Sequence, residues 1–116
     1  MNRGDVILDR FPHPSGVRGK NRPAVVVQSD AYAGVVGTLV VAEVTKNLTM
    51  RSDAACLFID LNTPDGKATG LVRDSVVSCL VLVTVYADTV AQVLGTLSPT
   101  LRQKLNDCMK AALALP

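Results

Sequence analysis

NRPAVVVQSDAYAGVVGTLVVAEVT, residues 21 to 45, holds two valine-rich runs on either side of a segment that carries Gly34 and Gly37. β-Branched side chains have few χ1 choices and pack well on a pleated surface, so both runs read as strands. Pro23 opens the first, which is expected over Ala24 to Gln28, because a missing N–H does least harm at a strand's beginning. After a turn around the two glycines, Thr38 to Thr45 is expected as the next strand. Toward the N-terminus the segment HPSGVRGKNR resists regular structure and puts Arg18, Lys20 and Arg22 within five residues, the densest basic stretch of the chain. Before it, Asp5 to Arg10 reads as a strand with Val6 and Leu8 on one face and Ile7 on the other, ended by Phe11-Pro12.

On the C-terminal side, Lys46 to Asp53 is polar and reads as a loop, and Ala55 to Leu61 returns to apolar strand character. TPDG, residues 63 to 66, is a turn signal, since Pro presets φ and Gly accepts positive φ. Leu71 to Val85 is expected as one long or two short strands, broken near Arg73-Asp74. Only the end of the chain has helical period, with Leu101, Leu105, Cys108, Met109, Ala112 and Leu113 on one face. Ser98 suits its N-cap and Pro99 its first turn. Strands joined by short turns, with one terminal helix, predict a small twisted sheet closing into a barrel-like core that the helix caps. The abundant valine suggests a second surface able to pair with another copy.

A chain of 116 residues fits one domain, 1–116. Its 48% hydrophobic and 19% charged residues are enough to fill a core, and with aromatics at only 3% that core is aliphatic. A net charge of +2 does not by itself demand a polyanion. No uncharged stretch is longer than Ser75 to Ala87, which falls short of the ~20 apolar residues of a membrane span. Arg3, Asp5, Asp9 and Arg10 interrupt the apolar run a signal peptide needs, so no membrane association and a cytoplasmic location are expected. Cys56, Cys79 and Cys108 are far apart and form no CxxC pair, so they are expected as buried free thiols.

The chain has no Gly-rich phosphate loop, GxSxG, HExxH or carboxylate cluster at metal-binding spacing, and a single histidine, His13. Neither a metal site nor a cofactor is expected. What remains is the basic loop running into a strand, and hydroxyls such as that of Thr45 at the end of another. A guanidinium at Arg22, where loop becomes strand, can offer a rigid fork to phosphate oxygens, although most loop charges are merely solvated.

RGDVILDRFP (3 to 12) followed by GKNRPAVVVQSD (19 to 30) resembles the N-terminal signature of MazF/PemK-type toxins of bacterial toxin–antitoxin systems. LVVAEVTKN (39 to 47), GLVRDSVV (70 to 77) and GTLSPTLRQKLNDCMKAAL (95 to 113) are similar to further segments of that family, the last to its terminal strand and helix. Five motifs in the right order cover nearly the whole chain. The resemblance implies a mainly β fold with a C-terminal helix, an SH3-like barrel of the MazF/PemK/CcdB type, and a homodimer. It implies metal-independent endoribonuclease activity on single-stranded RNA, chiefly mRNA, and a cognate antitoxin. Because a basic groove that binds RNA phosphates also attracts an acidic, disordered peptide, a C-terminal antitoxin segment is expected to occupy the RNA site near Arg22 and press against the loop from Lys46 to Asp53. By the same resemblance Arg22 and Thr45 are catalytic. Arg18, Lys20, His13, Ser15, Lys46 and Asn47 are the expected RNA-binding residues.

The chain departs from the family pattern in two places. Many members carry an Asp/Glu-Gln-x-Arg stretch soon after Asp-Ser-Val-Val, where this chain has CLVLVT, residues 79 to 84. A polar position of the first loop is Gly16 here, with His13 and Ser15 close by. Three other readings compete with a nuclease: a binding toxin acting on a protein such as gyrase, a member that binds antitoxin but has lost activity, and a general RNA-binding barrel. Arg22 and Thr45 together favour the nuclease over the first, and the scarcity of aromatic stacking platforms disfavours the last.

Overall fold

A computed structural model describes residues 1–10 and 21–116. Six strands, β1 (Asp5–Arg10), β2 (Asn21–Val26), β3 (Thr38–Thr45), β4 (Cys56–Ile59), β5 (Ser75–Tyr86) and β6 (Gln92–Thr96), form one sheet in the order β4-β5-β3-β2-β1-β6. Every neighbouring pair is antiparallel. The expected mainly β architecture with a terminal helix is the one observed, its sheet curled into a half-barrel. Among the described residues the α-helices are α1 (Pro64–Lys67) and α2 (Pro99–Leu113).

Curling follows from burial on both faces. On one face Val6, Val25, Ala42, Val44 and Val77 pack with Leu101, Leu105 and Cys108 of α2. On the other, Ile7, Ala24, Val26, Leu39, Val41 and Val85 form a second cluster. Consecutive residues such as Val6 and Ile7, or Val41 and Ala42, therefore go to opposite cores, which a flat sheet with one wet face would not allow. The bend is taken up in β5. Its partners on β3 jump from Ser78, opposite Glu43, to Leu82, opposite Ala42, so Cys79, Leu80 and Val81 bulge out of that ladder.

Several sequence expectations are corrected in their bounds. β2 begins at Asn21, not Ala24. Pro23 is accommodated inside it because there β2 pairs only with β1, and pairing to β3 starts at Ala24. β2 also ends early, since the N–H groups of Val27 and Gln28 both converge on the Val40 carbonyl at 3.0 and 3.2 Å. The expected strand over Ala55 to Leu61 is trimmed to β4, because Asp60 already starts the next turn, accepting the Thr63 hydroxyl at 2.6 Å and the Asn62 N–H at 2.9 Å. TPDG is not a plain turn but the one-turn helix α1, capped by Thr63, whose hydroxyl accepts the Gly66 N–H at 3.0 Å. Gly70 follows it at φ +73°, and a Cβ there would strike the Leu94 carbonyl, so only glycine fits where this segment crosses β6.

The break expected near Arg73-Asp74 is the start of β5. Ser98 caps α2 through the Leu101 N–H at 3.2 Å, with Pro99 in the first turn as expected. Leu113, expected on the apolar face, is 48% exposed. The three cysteines are buried free thiols. Among the described residues no helix is long and apolar enough to cross a membrane.

Candidate active site

The face that holds the second core changes character along its strands. On β3 the row runs Leu39, Val41, Glu43, Thr45, and on β2 Val26, Ala24, Arg22, because alternate residues share a face. The register pairs Ala24 with Glu43 and Val26 with Val41, so the polar ends of both rows lie at the same end of the sheet. One strand further, Asp9 pairs with Arg22 and is fully buried, accepting the Arg10 N–H at 2.7 Å and the Thr89 hydroxyl at 3.3 Å. Extending the register two residues past its last pair sets Arg22 opposite Thr45. Pro23 has no N–H to continue the ladder, so the strands part there.

A cleft of about 450 Å³ opens where they part. β2 contributes Arg22 and Pro23, and β3 with its end contributes Glu43, Val44, Thr45 and Lys46. The segment leading into β5 contributes Leu71, Val72 and Arg73, and β5 itself Ser75. Arg22 reaches across to Glu43, Nη1 to Oε1 3.5 Å, with side-chain exposures of 49% and 24%. The guanidinium is thus open to a ligand while the carboxylate is largely shielded. The Thr45 hydroxyl accepts the Asn47 N–H at 3.1 Å, which fixes the oxygen. Among the described residues it donates to nothing, so its proton is available to an acceptor in the cleft. Arg73 is held from behind, because the buried Ser75 hydroxyl donates to its carbonyl at 2.9 Å.

The structure therefore brings Arg22 and Thr45 to one cleft and puts Lys46 on its wall. Asn47 is not in the lining. Its side chain accepts the Thr49 N–H and hydroxyl at 3.0 and 2.7 Å, and its contribution is the backbone N–H that orients Thr45. His13, Ser15, Arg18 and Lys20 lie outside the described residues. Sequence reading missed Glu43 and Arg73. For Glu43 a signal existed, since it is the lone charge in the strand LVVAEVT and stands two residues from Thr45, hence on the same face. Arg73 gave none beyond its charge. The stretch CLVLVT falls on the β5 bulge, with Leu80 and Val81 exposed and neither lining this cleft.

The arrangement offers two guanidiniums, an ammonium and a hydroxyl proton around one carboxylate, a donor set suited to a phosphate with an adjacent hydroxyl. A family model described as PemK-like, MazF-like toxin of type II toxin–antitoxin systems matches residues 2–113. The endoribonuclease MazF6 of Mycobacterium tuberculosis is 27% identical over 117 residues, covering 99% of this chain and 98% of that protein. Among solved structures, a mycobacterial endoribonuclease in complex with its cognate antitoxin superposes with a TM-score of 0.80 at 21% identity, covering 100% of this chain and 97% of that one. The toxin MazF-mt6 of Mycobacterium tuberculosis does so with 0.76 at 20% identity, covering 97% and 98%. With the family model spanning all but the first residue and the last three, the chain belongs to the PemK-like, MazF-like toxins of type II toxin–antitoxin systems.

Proposed function

We propose that the chain is the toxin of such a system and acts as a sequence-specific endoribonuclease on single-stranded RNA, chiefly mRNA, working in the cytoplasm as a homodimer. The observation that carries the reading is the convergence of Arg22 and Thr45 on one cleft from facing strands. The ribose 2′-OH attacks the adjacent phosphate, and charge builds on the nonbridging oxygens of the phosphorane. Arg22 supplies a charged fork to those oxygens and Thr45 a hydroxyl hydrogen bond, both strongest when the oxygens carry most charge. Lys46 holds a flanking phosphate, and Arg18, Lys20, His13 and Ser15 extend the RNA contact from the preceding loop. Attack by the 2′-OH breaks the bond to the 5′ oxygen and leaves a 2′,3′-cyclic phosphate and a 5′-hydroxyl.

No metal ion is assigned to the reaction. Among the described residues the cleft has one carboxylate against three cations, whereas a divalent metal is bound through several oxygen ligands. An acidic C-terminal antitoxin segment competes for the same cationic cleft, as a disordered peptide that orders on binding. The test is digestion of a single-stranded RNA transcript in EDTA with analysis of the termini. Cyclic phosphate and 5′-hydroxyl ends are expected, and 5′-phosphate ends or full loss of cleavage on chelation would refute the mechanism.

A further inference from the structure

The nuclease reading leaves one requirement unfilled. A group must take the proton of the attacking 2′-OH, and neither residue carried over from the family does this simply. A guanidinium keeps its proton throughout the working pH range, and an alcohol is a poor base. Glu43 is the only carboxylate among the described residues lining the cleft. It shares the β3 face of Thr45 and stands 3.5 Å from the guanidinium that would hold the phosphate.

We propose that Glu43 is the general base of the reaction; the assignment rests on the nuclease reading above. A phosphate seated on Arg22 brings its own 2′-OH neighbour to the Glu43 side of that guanidinium. The 2′ oxygen passes its proton to a Glu43 carboxylate oxygen while bonding to phosphorus, the bond from phosphorus to the 5′ oxygen breaks, and the leaving oxygen takes a proton from solvent. Glu43 then returns its proton to solvent, so that one phosphoester has been exchanged for another with no net gain or loss of protons. An anionic phosphate arriving beside an anionic carboxylate is repulsive in itself. That cost is offset by Arg22 between them, and it is relieved when the carboxylate accepts a proton.

The groups facing Glu43 identify what a pH profile would read. Among the described residues lining the cleft these are Arg22 from β2, Lys46 from the end of β3 and Arg73 from the approach to β5, and Asp9 pairs with Arg22 one strand beyond. Glu43→Gln retains an oxygen acceptor for Arg22 and the side-chain shape but cannot take a proton. Glu43→Asp retains the base on a shorter arm.

The experiment is steady-state cleavage of a single-stranded RNA transcript between pH 4 and 8 in EDTA, for wild type and both variants. Expected are a wild-type kcat that rises through an acid limb, and a Glu43→Gln kcat lower by ~10²-fold or more, the usual scale for general-base catalysis, with KM within about threefold and the acid limb gone. Glu43→Asp should keep the limb at a reduced rate. A Glu43→Gln enzyme within about threefold of wild-type kcat would overturn the assignment. So would a slow one that keeps the limb, the signature of a carboxylate that only steadies Arg22. Failure of wild type to cut RNA would instead remove the nuclease reading itself, and this assignment with it.

Discussion

Two groups of chemically versatile side chains, the cysteines beside α2 and the polar residues at the end of β3, differ in burial and in the reactivity it leaves them. Cys79 of β5 and Cys108 of α2 belong to the larger apolar core, with exposures of 1% and 6%, and Cys56, also buried at 6%, lines a neighbouring hollow with Cys108. Cys79 is pushed up to about 12 by burial and then by the neighbouring Cys108 and Cys56, and Cys108 is raised by burial and by Cys56, so both keep their protons and are poor nucleophiles. Toward the end of β3 the sheet face turns polar: Glu43 is the last residue paired with β2, and Thr45 lies beyond it opposite Arg22, which stays paired with β1 alone. The difference teaches that reactivity here is set by the ladder. Through Val41 and Ala42 the paired residues of β3 are core, and from Glu43, the last to have a partner on β2 before Pro23 ends that pairing, the face becomes a cleft.

The sharpest way to break this division is to remove the cleft's donors. Arg22→Ala and Thr45→Ala are each expected to lower RNA cleavage by ~10²-fold or more, the scale for losing a transition-state donor. Thermal melts should stay close to wild type, because Arg22 is half exposed and its ion pair with Glu43 is a partly solvated one of small worth. Near-normal turnover by folded Arg22→Ala would place the chemistry elsewhere.

The converse experiment empties the helix seam. Leu105 is fully buried in the core shared with Leu57, Ile59 and Val77. Leu105→Ala should cost roughly 2–5 kcal/mol in denaturant titrations, the usual range for a leucine truncated inside a core. Turnover per folded molecule, measured well below the melting transition, should remain within about threefold of wild type. A fall in kcat without loss of stability would show that α2 and the cleft are coupled, against the division drawn above.

A smaller effect separates the clusters by pH. Because Cys79 holds its proton more tightly folded than unfolded, the native state binds more protons than the unfolded chain between about pH 9 and 12. Stability contributed by that thiol is therefore complete below the unfolded value and falls as pH rises, by at most about 1.4 kcal/mol per pH unit. Urea midpoints of wild type should drop across this range more steeply than those of Cys79→Ala. Equal slopes would mean that the buried thiol is not what titrates.

Much of this division was legible before the fold was known. Alternation gave β1, the β-branched run gave β3, and the period of Leu101, Leu105 and Cys108 with Ser98-Pro99 gave α2. By contrast, β6 showed no periodicity of its own and was expected only through family resemblance. It pairs with β1 alone and none of its residues is buried, so no apolar alternation marks it. The β5 bulge was equally invisible, because an unbroken apolar run does not say which residues leave the ladder. In the cleft, Arg22 and Thr45 were named from position and resemblance, but their meeting depends on the β2–β3 register. Glu43 was passed over although it is the lone charge of its strand, because its ion pair with Arg22 shows only in the folded register.

The finest test of the comparison lies on the cleft's other wall. Arg73 lines it from a segment that is not part of the sheet, held by Ser75 rather than by pairing. If the ladder's end sets the chemistry, a cation outside the ladder should only hold RNA. Arg73→Ala is expected to raise KM about 3- to 10-fold at 0.15 M salt with kcat unchanged, and to lower the slope of log KM against log salt by something under one, the loss of one phosphate contact on a single strand. The difference from wild type should shrink as salt rises, because the lost interaction is screened. A fall in kcat of the size expected for Arg22→Ala would instead make Arg73 part of the reacting constellation. The active site would then be built by the β5 approach as much as by the parting of β2 and β3.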